Sequence, residues 1–158
     1  MNEQARFACR FAVRAGYVFV GLTSLGAMAF AGEISLLHTQ LEVSSQGLII
    51  NGGVYRMRFA MSELLLGQAR IVDLDQKPEL RPLLKVYGVG LPWYHSGWFR
   101  LKDGQRAVVA LTRSRIAVYL PTTRNQAILV SPDDPEAFLR ALQRPGSQSR
   151  VFVVKNAH

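Results

Sequence analysis

The sequence predicts a mainly β domain of about seven short antiparallel strands ending in one helix, with an N-terminal apolar helix in front. Three observations predict it. From residue 33 onward, apolar and polar residues alternate in short runs, the period of strands buried on one face. Ser131-Pro132-Asp133-Asp134-Pro135-Glu136 then opens a single capped helix. Ahead of both, Ala15 to Gly32 carries no charged residue. These features divide the chain into a basic and apolar segment (1–32), a β domain (33–145) and a C-terminal tail (146–158).

Composition sets the bounds. The 158 residues are 49% hydrophobic, enough for one ordinary core and too apolar for a disordered chain. Cys9 is the only cysteine, so no intrachain disulfide and no cysteine metal cluster can form. The formal net charge of +8 permits anionic lipid, polymer or nucleic acid as partner. The basic residues are scattered and no recognition motif accompanies them, so no nucleic-acid partner is expected.

In the N-terminal segment, Arg6, Arg10 and Arg14 precede the apolar run that includes Ala15, Tyr17, Phe19, Leu22, Leu25, Met28 and Phe30. Its length and lack of charge favour a single transmembrane helix held by bilayer lipid. Two alternatives stay open: a cleaved signal peptide, for which Ala29-Phe30-Ala31 has the small-residue pattern, and a core helix of a soluble protein. With the arginines retained in the cytoplasm, the protein is single-pass and its C-terminal domain lies on the non-cytoplasmic side.

The β domain follows element by element. Leu37, Thr39, Leu41 and Val43 alternate with His38, Gln40 and Glu42 as one strand. Ser44 to Gly47 turns the chain, Gly47 to Ile50 is buried, and Asn51-Gly52 signals a hairpin. Tyr55, Met57 and Phe59 then face one way, and Arg56 and Arg58 the other. Met61 to Leu66 reads as a bend or short helical turn, and Gln68 to Leu74 as a strand. Residues 75–96 hold Pro78, Pro82, Pro92, Gly88 and Gly90, and read as a long loop dividing the domain. Beyond it Phe99 and Leu101 point inward, Arg100 and Lys102 outward, and Asp103-Gly104 is a hairpin turn. Arg106 to Thr112, Ile116 to Leu120 and Ala127 to Val130 are further strands, the first two joined by a turn at Arg113-Ser114. Asp134 is the expected N-cap, with Pro135 at the first helical position and Phe138, Ala141 and Leu142 on the apolar face. Val151 to Val154 is a possible last extended segment.

Several of these runs resemble the bacterial PH-like (pleckstrin-homology-like) domain family. They are Gly97-Trp98-Phe99-Arg100-Leu101-Lys102-Asp103-Gly104, the Leu120-Pro121-Thr122-Thr123 turn, and Leu129-Val130-Ser131-Pro132-Asp133-Asp134-Pro135-Glu136-Ala137-Phe138. The Gly47 to Gly53 hairpin and Gly88-Val89-Gly90 also fit, and the resemblance covers roughly residues 36–144. It implies a bent antiparallel sheet or barrel of about seven strands with its open end covered by the C-terminal helix. It also implies a non-enzymatic binding module, in many members joined to membrane helices, and so a location at the bacterial cytoplasmic membrane. Relatives that bind phosphoinositides place basic residues around the first hairpin. Here the turn Ser44 to Gly47 has none, which argues against an inositol phosphate ligand.

Candidate functional residues are few. No histidine has a metal-ligand spacing and no nucleophile stands at a set distance from a base, so no enzyme, metal or cofactor is expected. Asp73 and Asp75 read as turn formers, and His38 and His95 as structural. The binding candidates are Arg56, Arg58, Arg100 and Lys102, a basic face if their strands adjoin, and Trp93 with Tyr94 as an exposed aromatic pair. Trp98 and Phe99 read as core. The partner is an unknown protein or lipid at the cell envelope. The alternative is an exported periplasmic protein whose basic face binds an anionic polymer.

Overall fold

The computed structural model describes residues 39–154, apart from Val54, Ser114 and Ser147. The segment 1–32 and His38 lie outside the described residues. Among the described residues, ten strands form two sheets, accompanied by one α-helix. The strands are β1 (Thr39–Ser44), β2 (Gly47–Asn51), β3 (Arg56–Ala60), β4 (Arg70–Asp73), β5 (Pro82–Leu91), β6 (Tyr94–Leu101), β7 (Arg106–Leu111), β8 (Ile116–Pro121), β9 (Gln126–Val130) and β10 (Arg150–Val154). The helix α1 is Pro135–Gln143, between β9 and β10. The sheet orders are β10-β1-β2-β3 and β4-β8-β9-β7-β6-β5.

The four-stranded sheet is antiparallel throughout, and it buries Leu41 and Val43 of β1 with Leu48 and Ile50 of β2. The buried residues of β1 keep the period of two that the sequence shows. The connection after Asn51 is longer than a two-residue hairpin, since Asn51 pairs with Arg56. Arg150–Val154, placed in the tail by its sequence position, pairs along β1 and closes this sheet's other side.

The six-stranded sheet departs from the sequence expectation twice. First, residues 75–96 are not one long loop. A 3₁₀ turn, Pro78–Leu80, leads into ten-residue β5, and only Pro92-Trp93 separates β5 from β6. The supposed breakers have strand roles. Pro82 stands at the first position of an edge strand, where its missing N–H costs nothing. Gly88 and Gly97 face each other across the ladder with φ of 118° and 130°. A Cβ on either would lie 2.2 Å from a carbonyl oxygen of the opposite strand.

Second, β7 and β8 are not neighbours. β9 lies between them, antiparallel to β8 and parallel to β7, with Ala107 opposite Ala127 and Val109 opposite Leu129. The sheet is therefore mixed. These three strands are buried on both faces and so occupy its centre. Val108, Ala110, Val118, Leu120, Ile128 and Val130 point into the core shared with the four-stranded sheet and α1. Their alternates Ala107, Val109, Ala117, Tyr119, Ala127 and Leu129 form a second core with Phe99, Leu101, Leu74 and Leu80.

Helix α1 forms as its sequence predicts. Asp134 accepts a hydrogen bond from the Ala137 N–H at 2.8 Å, and Pro135 opens the first turn. Such a cap is worth about 1 kcal/mol. Phe138, Ala141 and Leu142 are buried, and the Phe138 ring meets Phe152 of β10 edge-on at 5.3 Å.

Candidate binding groove

Strand β3 is the free edge of the four-stranded sheet, and it runs beside β6 without a backbone ladder between them. Hydroxyl groups link the two where β3 begins. Tyr55 and Ser96 share a hydrogen bond of 2.5 Å, Ser96 meets Thr39 at 3.1 Å, and Thr39 meets Tyr94 at 2.7 Å. Four hydroxyls thus satisfy one another where β1, β3 and β6 converge, as buried polar groups must. Burial pushes the Tyr55 hydroxyl up to about 12, with the Ser96 hydrogen bond opposing in part.

Further along the same strands lies a groove of about 490 Å³, lined by Met57, Arg58, Phe59, Trp98, Arg124 and Gln126, with Glu63 at its rim. Arg58 is exposed, because the alternation that turns Met57 and Phe59 inward turns it outward. Arg124 rides on the tight turn before β9, where Asn125 takes φ of 56°. It ion-pairs with Glu63 across the groove. On the sheet beside Trp98, Arg100 stands opposite Arg106. Arg106 lies over the indole, 5.7 Å from its centroid. Arg106 thus covers the half-buried indole, while Arg58 and Arg124 line the groove that Trp98 walls. Among the described residues, no carboxylate pairs with Arg58, Arg100 or Arg106. The arrangement suits a carboxylate or other planar anion, which arginine holds by two hydrogen bonds.

The structure sorts the sequence candidates. Arg58 lines the groove, and Arg100 does not, although it follows Trp98 by two residues on β6. Arg56 is exposed at the start of β3, and Lys102 sits in the turn after β6, so neither lines it. Trp93 is 41% exposed at the β5–β6 turn. Tyr94 does not join it as an exposed partner: it is fully buried, with its hydroxyl on Thr39. Along β6 the inward direction belongs to Tyr94, and a two-residue turn leaves only Trp93 outside.

Trp98 packs against the first core, as its sequence suggests, and its uncovered part walls the groove. Arg106, Arg124 and Gln126 carry no signal of their own; only the β7–β9 pairing, with Arg106 opposite Gln126, brings them together. Asp73 and Asp75 form the expected turn, the Asp75 N–H donating to Asp73 at 2.8 Å, while Asp75 also pairs with Arg81 and Arg115. His95 is half-buried and meets Phe99 edge-on at 5.5 Å; burial holds its pKa below the ordinary histidine value. Among the described residues, no three metal-ligating side chains are grouped to hold an ion, and no helix is long and apolar enough to cross a membrane.

A family model for the bacterial PH domain matches residues 39–145, from β1 through the end of α1. The chain belongs to the bacterial PH domain family. Searches of curated proteins and of solved structures gave no match. PH domains are in general non-catalytic binding modules, and this PH domain carries the two-sheet, one-helix framework of such a module. Strand β10 lies beyond the matched residues and extends the sheet of this PH domain through β1.

Proposed function

We propose that this PH domain is a membrane-anchored, non-enzymatic module that holds an acidic partner protein at the bacterial cell envelope. The anchor is the uncharged run Ala15 to Gly32 behind Arg6, Arg10 and Arg14, which has the length and charge pattern of a single span. The observation that carries the binding reading is the groove between β3 and β6, where Arg58 and Arg124 line a cleft walled by Trp98, Arg106 stacks on the indole, and Glu63 is the acidic counterpart. A groove that combines an aromatic wall with arginines has the composition of a binding hot spot.

Two measurements test the halves separately. Full-length protein should remain in alkali-washed membranes; a soluble product beginning at Gly32 would replace the anchor with a cleaved signal peptide. Crosslinking in cells should capture a partner that is lost when Arg58 and Arg124 are both changed to Gln. A capture unchanged by those substitutions would remove the groove from the binding reading.

A further inference from the structure

Strand β5 ends the six-stranded sheet, and among the described residues only β6 pairs with it. Its outer N–H and C=O groups form an open edge, the arrangement to which another extended chain adds. Proteins usually blunt such an edge with charge. This one exposes Leu83 (65%), Leu84 (59%), Val86 (52%) and Tyr87 (58%), with Lys85 as its only charged residue.

The register explains why apolar side chains emerge on both faces. Shifts between Pro82 and Leu84, and again between Lys85 and Tyr87, leave Leu83 and Val86 outside one-to-one pairing with β6. From Tyr87 to Leu91 the pairing with β6 is one-to-one. Leu84 and Tyr87 align with Arg100 and Trp98, while Lys85 aligns with Phe99. Leu84 and Tyr87 therefore share one face with Arg100, and Lys85 on the edge strand itself takes the other.

Resting on the binding-module reading, we infer that the β5 edge accepts an extended acidic peptide segment of the partner protein as an additional strand. Its apolar side chains seat on Leu84 and Tyr87, and its carboxylates, which alternate onto the opposite face, meet Lys85. The chain's net charge of +8 favours an acidic occupant over a second copy of the chain. Open backbone selects it over a bilayer, because lipid tails cannot satisfy the edge N–H and C=O groups.

The probe is a labelled decapeptide alternating Glu with Val and Leu, titrated into full-length protein in detergent. Saturable binding is expected. It should weaken about tenfold or more with Leu84→Glu, with Lys85→Glu, and with a peptide N-methylated at alternate residues, since one lost strand contact or ion pair of about 1.4 kcal/mol changes affinity tenfold. Equal binding by the N-methylated peptide overturns strand addition. Equal binding by a Lys-for-Glu peptide overturns the acidic specificity. Concentration-dependent dimers abolished by Leu84→Glu assign the edge to a second copy, and binding to phosphatidylglycerol vesicles lost with Leu84→Glu assigns it to lipid; either overturns the inference. In cells, partner capture that survives Leu84→Glu but not Arg58→Gln with Arg124→Gln sinks the edge and leaves the groove reading standing. Capture that survives both sets sinks both.

Discussion

Arg106 lies over the face of Trp98, its guanidinium carbon 5.7 Å from the ring centroid. The two residues stand on adjacent strands, β7 and β6, whose register sets Trp98 against Val108 and Arg100 against Arg106. Stacking of this kind is worth about 0.5–1 kcal/mol at an exposed site. It also fixes the indole as the groove wall.

Trp98 is therefore a reporter for the groove. The chain has two tryptophans, and Trp93 is the more exposed. In a Trp93→Phe chain, emission should lie to the blue and resist acrylamide; in a Trp98→Phe chain it should lie to the red and be quenched readily. Arg106→Gln should shift only the first. Equal quenching of both single-tryptophan chains would contradict the placement of Trp98.

The hairpin β5–β6 depends on two facing glycines. Gly88→Ala or Gly97→Ala puts a methyl 2.2 Å from an opposing carbonyl oxygen at a backbone angle that alanine rarely adopts. Each should cost on the order of 2–4 kcal/mol in denaturant melts. Gly67→Ala, with nothing within 4 Å, should be close to neutral. Equal melts for the three variants would refute the crossing geometry.

These glycines also show where sequence reading stops. Local chemistry was fully legible at α1: Asp134, Pro135, Phe138 and Leu142 each occupy the place that capping and periodicity assign. It was legible for β1 and β3, where the alternation is clean, though the turn after Asn51 proved longer than the Asn-Gly signal implies. It failed at Pro82 to Leu91, because Gly88 and Gly90 look like breakers until the partner strand is known. It failed again at β7 to β9, since strands buried on both faces carry no mark of which neighbour they take. Of the groove, Arg58 could be nominated from strand alternation. Arg106 and Arg124 could not, because a non-local parallel pairing assembles them.

Tyr55 makes the fold sensitive to alkali. Its hydroxyl is pushed up to about 12 in the folded protein, against about 10 when exposed. The folded state therefore holds this proton more tightly. Its contribution is complete below pH 10 and declines as pH rises from 10 to 12, by on the order of 2 kcal/mol. Tyr55→Phe should flatten stability over that interval, read by urea melts at successive pH values. An unchanged alkaline decline would place its cause elsewhere.

His95 acts at the acid end. Burial holds its pKa below the ordinary value of 6.5, so the unfolded chain takes up the proton first as pH falls. Its contribution is whole above pH 6.5 and is lost as pH drops below that value through the lower folded pKa. His95→Gln should remove part of the acid-dependent loss of stability while retaining the Pro92-Trp93 turn. Direct titration of the imidazole by NMR checks the direction, and a midpoint above 6.5 would reverse the claim.

Strand β10 should prove part of the folding unit although it lies beyond the family's matched residues. Val154 is fully buried opposite Thr39, and Phe152 stands opposite Leu41 with its ring edge-on to Phe138. Removing residues 146–158 would strip β1 of one ladder and uncover the side of α1 that faces Phe152. The shorter chain should melt at a lower temperature and, with β1 exposed as a new edge, aggregate more readily. Phe152→Ala alone should cost about 2–3 kcal/mol, below the range for a fully buried phenylalanine because Phe152 is only partly covered. Val154→Asp should cost more, since it buries a carboxylate where the core admits no water. If the truncated chain melts like the whole one, the β1–β10 ladder contributes nothing, and the domain ends with α1.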